Sequence, residues 1–297
     1  MTGAEAPRCG APEPVRIFVG CDGDDCDLEQ MMVLEHSLRR HASLPLSLTW
    51  MRLSRDPASP FFSDARGGGW RTDRWATPFS GFRWAVPALC DFSGRALYMD
   101  ADVLALGDIA GLWQAPLAAP HVVLGRRFAG EIRLCVSLWD CARAREHLPD
   151  LAALQANPRS HEECSRRFAT TPGLVGDIDP SFNAIDGEGL PIESIKLLHY
   201  SDMGAQFSHR LSMPRLAAEG TAHWFDGRRR PHPRADLAEV FAQVHEDALA
   251  SGRRLDDYRH PQRFGPCPKR SERHHRGNEI TRPGLRGRLR ALRDRLR

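Results

Sequence analysis

The stretch from Val15 to Leu53 admits few folds. "VRIFVG" (15–20) is a short, apolar, β-rich run, which predicts a buried strand. An Asp/Gly loop, "CDGDDCD", follows. "LEQMMVLEHSLRRHA" (28–42) then carries Leu28, Met31, Met32, Leu34 and Leu38 at helical spacing, with Asp27 placed as an N-cap. "LPLSLTWMRL" (44–53) alternates Leu46, Leu48 and Trp50 against Ser47 and Thr49, the pattern of a strand. A strand-loop-helix-strand opening begins an α/β sheet of the nucleotide-binding type.

Further elements fit that class. "RALYMD" (95–100), "HVVLG" (121–125), "LCVSLWD" (134–140) and "ESIKLLHYSD" (193–202) read as strands, the last closing at His199. "PFSGFRWAVPALCDF" (78–92) reads as a helical segment strained by Pro87, and "CARAREHLPDLAALQA" (141–156) as a helix. Residues 54–78 and 172–189 are irregular. The chain of 297 residues is long enough to bury a sizeable core. It divides into a disordered lead (1–14), one α/β domain (15–262) and a basic tail (263–297).

Charge supports that division. The tail holds eleven Arg and one Lys against Glu272, Glu279 and Asp294, so the rest of the chain is mildly acidic although the whole carries only +3. The eight cysteines are Cys9, Cys21, Cys26, Cys90, Cys135, Cys141, Cys164 and Cys267, with no C-x-x-C pair. Scattered thiols of this kind predict reduced, mostly buried cysteines and a cytoplasmic protein. The N-terminal residues lack the apolar core of a signal peptide, and no apolar run reaches the ~18 residues of a membrane span.

The chemistry concentrates at Asp100 and Asp102, one residue apart at the end of "RALYMD". Ligands of open α/β sheets bind outside the carboxyl ends of the strands. A buried carboxylate is costly unless cations or hydrogen-bond donors compensate it. In an extended segment both side chains can face one way, and two such carboxylates suit Mg²⁺ or Mn²⁺. His199, also closing a strand, is an acceptable third ligand. The alternative is structural: Asp100 meeting an Arg, and Asp102 capping a helix near residue 108.

With these motifs in order, the chain resembles the family 8 glycosyltransferases, a retaining group with the GT-A (Rossmann-like) fold, and in particular a bacterial branch of them. The resemblance covers roughly residues 15–207. It rests on "IFVGCDGDDCDLEQMMVLEHSLRRHAS", on "FSGFRWAVPALCDFSGRALYMDADVL" and, more weakly, on "KLLHYSDMG". It implies a mixed α/β sheet flanked by helices and transfer of a hexose from a nucleotide sugar, UDP-linked, to a glycan or lipid-linked acceptor. It implies that Asp100, Asp102 and His199 bind Mn²⁺ (or Mg²⁺). It further implies that Val19, Gly20, Asp22 and Ala101 line the nucleotide, and that Arg83 reaches the diphosphate and donor sugar.

The chain departs from the family at the sugar end. Where the family carries acids before its "WN" stretch, alignment on Asn183 places Pro172 and Gly173; Asp177 and Asp179 stand nearby as weak substitutes. The family's "N-x-G" is "RLC" (133–135), and its phosphate-binding "KPW" is "AQF" (205–207), with His209 or Arg210 as compensating groups. A weakly active or inactive nucleotide- or glycan-binding relative is therefore the competing expectation. A sugar nucleotidyltransferase would need a basic Gly-rich loop where "CDGDDCD" stands. A haloacid-dehalogenase phosphatase would carry its Asp-x-Asp after the first strand.

The tail segment "RPGLRGRLRALRDRLR" (282–297) spaces Leu285, Leu289, Leu292 and Leu296 by 4, 3 and 4. As a helix it would offer one apolar stripe amid arginines, suited to peripheral contact with the inner face of a membrane. No aromatic interleaving or known module points to nucleic acid.

Overall fold

A computed structural model describes residues 13–64 and 68–265. The lead (1–14) and the tail (263–297) fall almost wholly outside the described residues, as do Cys9 and Cys267. The strands are β1 (Val15–Gly20), β2 (Leu46–Met51), β3 (Arg95–Asp100), β4 (Val103–Ala105), β5 (Val123–Phe128), β6 (Glu131–Asp140), β7 (Val175–Asp177), β8 (Ala184–Ile185) and β9 (Leu197–His199). The α-helices are α1 (Leu28–His41), α2 (Val86–Leu89), α3 (Ala110–Trp113), α4 (Cys141–Ala144), α5 (Leu151–Ala156), α6 (Ser160–Thr170), α7 (His209–Ala218) and α8 (Ala235–Ala250).

Six strands form a mixed sheet in the order β2-β1-β3-β6-β5-β7. β1 pairs in parallel with β2 and β3, and β5 with β7, whereas β6 runs antiparallel to β3 and β5. One face of the sheet, with Ile17, Val19, Leu97 and Met99, packs on the apolar side of α1. The other, with Phe18, Ala96, Tyr98 and Trp139, packs on an aromatic layer that includes Trp70, Trp75, Phe82 and Trp84. β1 and β3 are therefore buried on both faces, which explains their unbroken apolar runs. A second sheet, β4-β9-β8, extends beyond the end of β3.

Two registers position the site. Gly20 pairs with Asp100 across β1 and β3, and Val103 pairs with His199 across β4 and β9. Asp100, Asp102 and His199 are thereby brought together from residues a hundred apart in sequence.

Several expectations need correction. Asp27 precedes α1 without capping it, because its carboxylate accepts instead from the Asp22 amide and the Trp224 indole. Pro87 causes no strain, since a 3₁₀ turn (Phe82–Ala85) precedes it and it stands in the first turn of α2, where its missing N–H is harmless. The helix expected over 141–156 is two helices, each started by its own cap. Asp140 accepts from the Arg143 amide and Asp150 from the Ala153 amide, while Pro149 interrupts the run between them. The strand expected over 193–202 shrinks to Leu197–His199 because Ile192–Ser194 form a 3₁₀ turn. The cysteines, by contrast, are as expected: Cys21, Cys26, Cys90, Cys135, Cys141 and Cys164 are buried free thiols. Among the described residues no helix is long and apolar enough to cross a membrane.

Candidate active site

Asp100 ends β3 beside Gly20. A Cβ on Gly20 would stand 2.4 Å from the Tyr98 hydroxyl, so this approach of β1 to β3 requires glycine. Tyr98 and Asp100 share one face of the strand, and the Tyr98 hydroxyl donates to Asp100 Oδ1 at 2.7 Å. Arg83, from the 3₁₀ turn before α2, donates to both Asp100 oxygens at 3.2 and 3.3 Å. Its guanidinium lies over the Tyr98 ring, 5.1 Å from the centroid. Burial pushes the Asp100 carboxyl up, Arg83 opposes that shift and Asp102 adds to it.

Asp102 lies in the tight connection from β3 to β4. Its Oδ2 accepts from Gln206 Nε2 at 2.7 Å, and its Oδ1 is 3.2 Å from His199 Nε2. Burial lowers the His199 pKa, but Cys135 and the Asp102 carboxylate outweigh it and raise the imidazole well above its ordinary value. Asp102 does not cap a helix; Asp108 accepts from the Ala110 amide at that point.

Asp100, Asp102 and His199 each offer one ligand atom, and these atoms lie within 4.8 Å of one another. Two carboxylate oxygens and an imidazole nitrogen form a donor set for a hard or borderline divalent cation. Asp102 Oδ1 is buried without a hydrogen-bond donor, which a cation's ligand set would account for. The residues present therefore fit a metal.

The cluster opens into a cleft of about 470 Å³. Its lining includes Arg83 and Trp84, Arg133 and Cys135 of β6, and His161 and Phe168 of α6. "RLC" thus lines the cleft, and Asn183 stands behind it, fully buried, accepting from the Cys135 thiol at 3.1 Å.

The other residues singled out from sequence lie elsewhere. Val19 and Ala101 are fully buried in the core, leaving only their backbone to meet a ligand. The Asp22 carboxylate accepts from the amides of Asp24, Cys26 and Asp27, so it organises its own loop. Burial raises its pKa to about 6 against those hydrogen bonds. Asp177 is exposed and paired with Arg127 at 3.1 Å, and Asp179 accepts from the Ser181 amide; neither lines the cleft. His209 and Arg210 line a separate cavity of about 550 Å³ with Arg229 and Arg230. Gln206, Tyr98 and His161 carried no sequence signal of their own. Their roles depend on which distant side chains the fold sets against them.

The fold has counterparts among solved structures. In structure the chain is similar to the galactosyltransferase LgtC, solved in complex with donor and acceptor sugar analogs. The TM-score is 0.50 at 14% identity, over 78% of this chain and 96% of LgtC. This is a GT-A glycosyltransferase fold. The glycosyltransferase GlyE of Streptococcus pneumoniae TIGR4 superposes with a TM-score of 0.48 at 14% identity, over 81% of this chain and 64% of GlyE. In sequence, Protein CDI of Arabidopsis thaliana is 36% identical over 105 residues. That match takes in 34% of this chain and 36% of the relative, so the chain spans about a third of the length of the curated relative it matches. No protein-family model matches the chain. In this GT-A fold the metal-type cluster occupies the carboxyl end of β3, at the edge where the parallel strands β1 and β3 finish.

Proposed function

We propose that the chain is a divalent-metal-dependent glycosyltransferase of the family 8 type, in its bacterial branch. It would move a hexose from a UDP-sugar to a glycan or lipid-linked acceptor with retention at the sugar carbon. The observation that carries this reading is the Asp100–Asp102–His199 cluster at the mouth of a cleft at the carboxyl end of β3. The GT-A fold, and a fold neighbour solved with donor and acceptor sugar analogs, support it.

Asp100, Asp102 and His199 would hold Mn²⁺ or Mg²⁺. When bound, that cation supplies Lewis-acid stabilisation of the departing diphosphate. Arg83, already beside Asp100, adds a fixed positive charge on the leaving-group side. Gln206 fixes the Asp102 carboxylate, so the ligand set needs little reorganisation on binding. Backbone groups of Val19, Gly20 and Ala101 would border the nucleotide. No side chain is assigned as nucleophile or base, because Asp177 and Asp179 stand outside the cleft; the departing phosphate would take the acceptor proton. The basic tail would hold the enzyme at the inner face of a membrane, near a lipid-linked acceptor.

Calorimetry tests the reading. UDP should bind in the presence of Mn²⁺ or Mg²⁺ and not without, and Asp102→Ala should abolish binding. Metal-independent binding, or none for any nucleoside diphosphate, would sink it. The absence of an acid in place of the family's own favours a second reading, a nucleotide- or glycan-binding relative without turnover. A donor-hydrolysis screen across nucleotide sugars separates the two.

A further inference from the structure

Ten buried side-chain polar atoms lack a hydrogen-bond partner among the described residues, and six of them belong to residues lining the one cleft. Two belong to Asp102 and His199 of the metal-type cluster. The other four, Thr77 Oγ1, Ser80 Oγ, Arg133 Nε and His161 Nε2, come from three separate parts of the chain. Native proteins leave few such atoms unpaired, so their concentration in residues that line one cleft points to a ligand that pairs them.

His161 is the most constrained of the four. The Trp84 indole, a donor only, donates to His161 Nδ1 at 2.9 Å. Nδ1 must therefore be unprotonated, and in the neutral ring the proton resides on Nε2. Burial, and to a lesser degree Arg83, holds the pKa down at about 3, so the ring stays neutral. His161 thus presents one N–H donor in a fixed tautomer. The two hydroxyls can donate or accept, and the Arg133 charge is already met by Glu131 at 3.1 Å. A wall with one neutral imidazole donor, one guanidinium N–H whose charge is already paired, and two hydroxyls matches alcohol groups better than a carboxylate or a phosphate. Trp84, Phe79 and Phe168 line the same cleft and offer apolar faces to C–H groups.

We propose that His161, its tautomer locked by Trp84, is a specificity-determining residue that donates to a hydroxyl of the bound sugar, with Thr77 and Ser80 completing the polar wall. The inference rests on the nucleotide-sugar reading above and adds residues to it that lie away from the metal cluster.

Calorimetry in Mn²⁺ with UDP, UDP-glucose and UDP-galactose tests it on the full chain. His161→Phe should leave UDP affinity unchanged and weaken the preferred UDP-hexose about tenfold, the worth of one buried hydrogen bond with its unpaired partner. His161→Gln, which keeps a donor, should recover part of the loss. Thr77→Val removes a hydroxyl without disturbing Trp84 and should weaken the UDP-hexose severalfold; it decides the matter if His161→Phe fails to fold. An unchanged ratio of UDP-hexose to UDP affinity in these variants overturns the proposal. If wild type binds no UDP, the nucleotide-sugar reading fails separately, and NMR of the His161 Nε2–H signal with free glucose and galactose decides. A shift with either sugar supports the polar wall; no shift with both overturns it.

Discussion

Gln206 Nε2 donates to Asp102 Oδ2 at 2.7 Å and to the Tyr200 carbonyl at 2.9 Å, while Gln206 Oε1 accepts from Gln30 of α1 at 3.0 Å. The amide is thus oriented from both ends, and it ties Asp102 to the first helix. In sequence this segment, "AQF", looked like a lost phosphate-binding lysine. In the structure it supplies the hydrogen bond that sets the Asp102 carboxylate.

Gln206→Ala therefore removes the hydrogen bond to Asp102 Oδ2 and leaves Gln30 short of an acceptor. Stability should fall by about 1 kcal/mol. Mn²⁺-dependent UDP affinity should fall about tenfold, because Asp102 would no longer be held in one rotamer. Calorimetry beside a urea melt reads both effects. Undiminished affinity would show that Asp102 needs no such support.

Arg83 and Asp100 form a mostly buried pair, their side chains 14% and 11% exposed. Breaking such a pair leaves a charge that burial penalises, at a cost of about 3 kcal/mol. Arg83→Ala should show that loss in denaturant unfolding. The double variant with Asp100→Asn should regain part of it, because the second change removes the stranded charge. If the double variant is as unstable as the single, the loss comes from Arg83 packing on Tyr98 and not from the ion pair.

The readable parts of this fold were those with strong local patterns. β1, α1 and β3 could be placed because an apolar run or helical periodicity fixes each without outside help. α6 escaped notice because its sequence, "SHEECSRRFAT", is polar on most sides and buries little beyond Ser160, His161, Cys164 and Phe168. β8 has two residues and β9 three, too short to show an alternation. Asp100 and Asp102 were legible as a pair from their spacing, and His199 as a third ligand from its place at a strand end, a reading the resemblance strengthened. The hydrogen bond of Trp84 to His161 spans 77 residues, and no local signal could have announced it. Helix breaks at Pro149 were available in the sequence, and the two Asp caps beside them decide the outcome.

Acid should destabilise the protein through His209 and His223. Burial first, with nearby cationic groups adding, lowers them from 6.5 to about 4 and about 3. Below pH 6.5 the unfolded chain takes up their protons while the folded chain does not, so stability falls with pH down to those lowered values. Each contributes about 1.4 kcal/mol per pH unit in that window. Asp22, raised to about 6 by burial, works in the opposite sense, since the folded state holds its proton more tightly. The comparison is therefore a difference: urea midpoints of wild type and of the His209→Phe/His223→Phe variant from pH 7 to 5. Wild type should lose stability faster on acidification, and parallel profiles would show that neither histidine is protonated on unfolding.

Asp177 and Asp179 offer the complementary test, because the sequence marked them as substitutes for missing catalytic acids. Asp177 is 68% exposed and its ion pair with Arg127 is a surface contact, worth little. The hydrogen bonds of Asp179 to Ser181 lower its pKa, which suits a turn residue and not a general acid. Asp177→Ala should leave stability and donor hydrolysis within about twofold of wild type, the range of surface substitutions. Asp179→Ala should cost about 1 kcal/mol through the lost cap on the 3₁₀ turn Pro180–Asn183 and leave turnover per folded molecule unchanged. Rates normalised to folded protein, taken with the most reactive nucleotide sugar, measure this. A hundredfold loss in either variant would mean that the 177–179 loop enters the cleft when donor binds, and would return an acid to the mechanism.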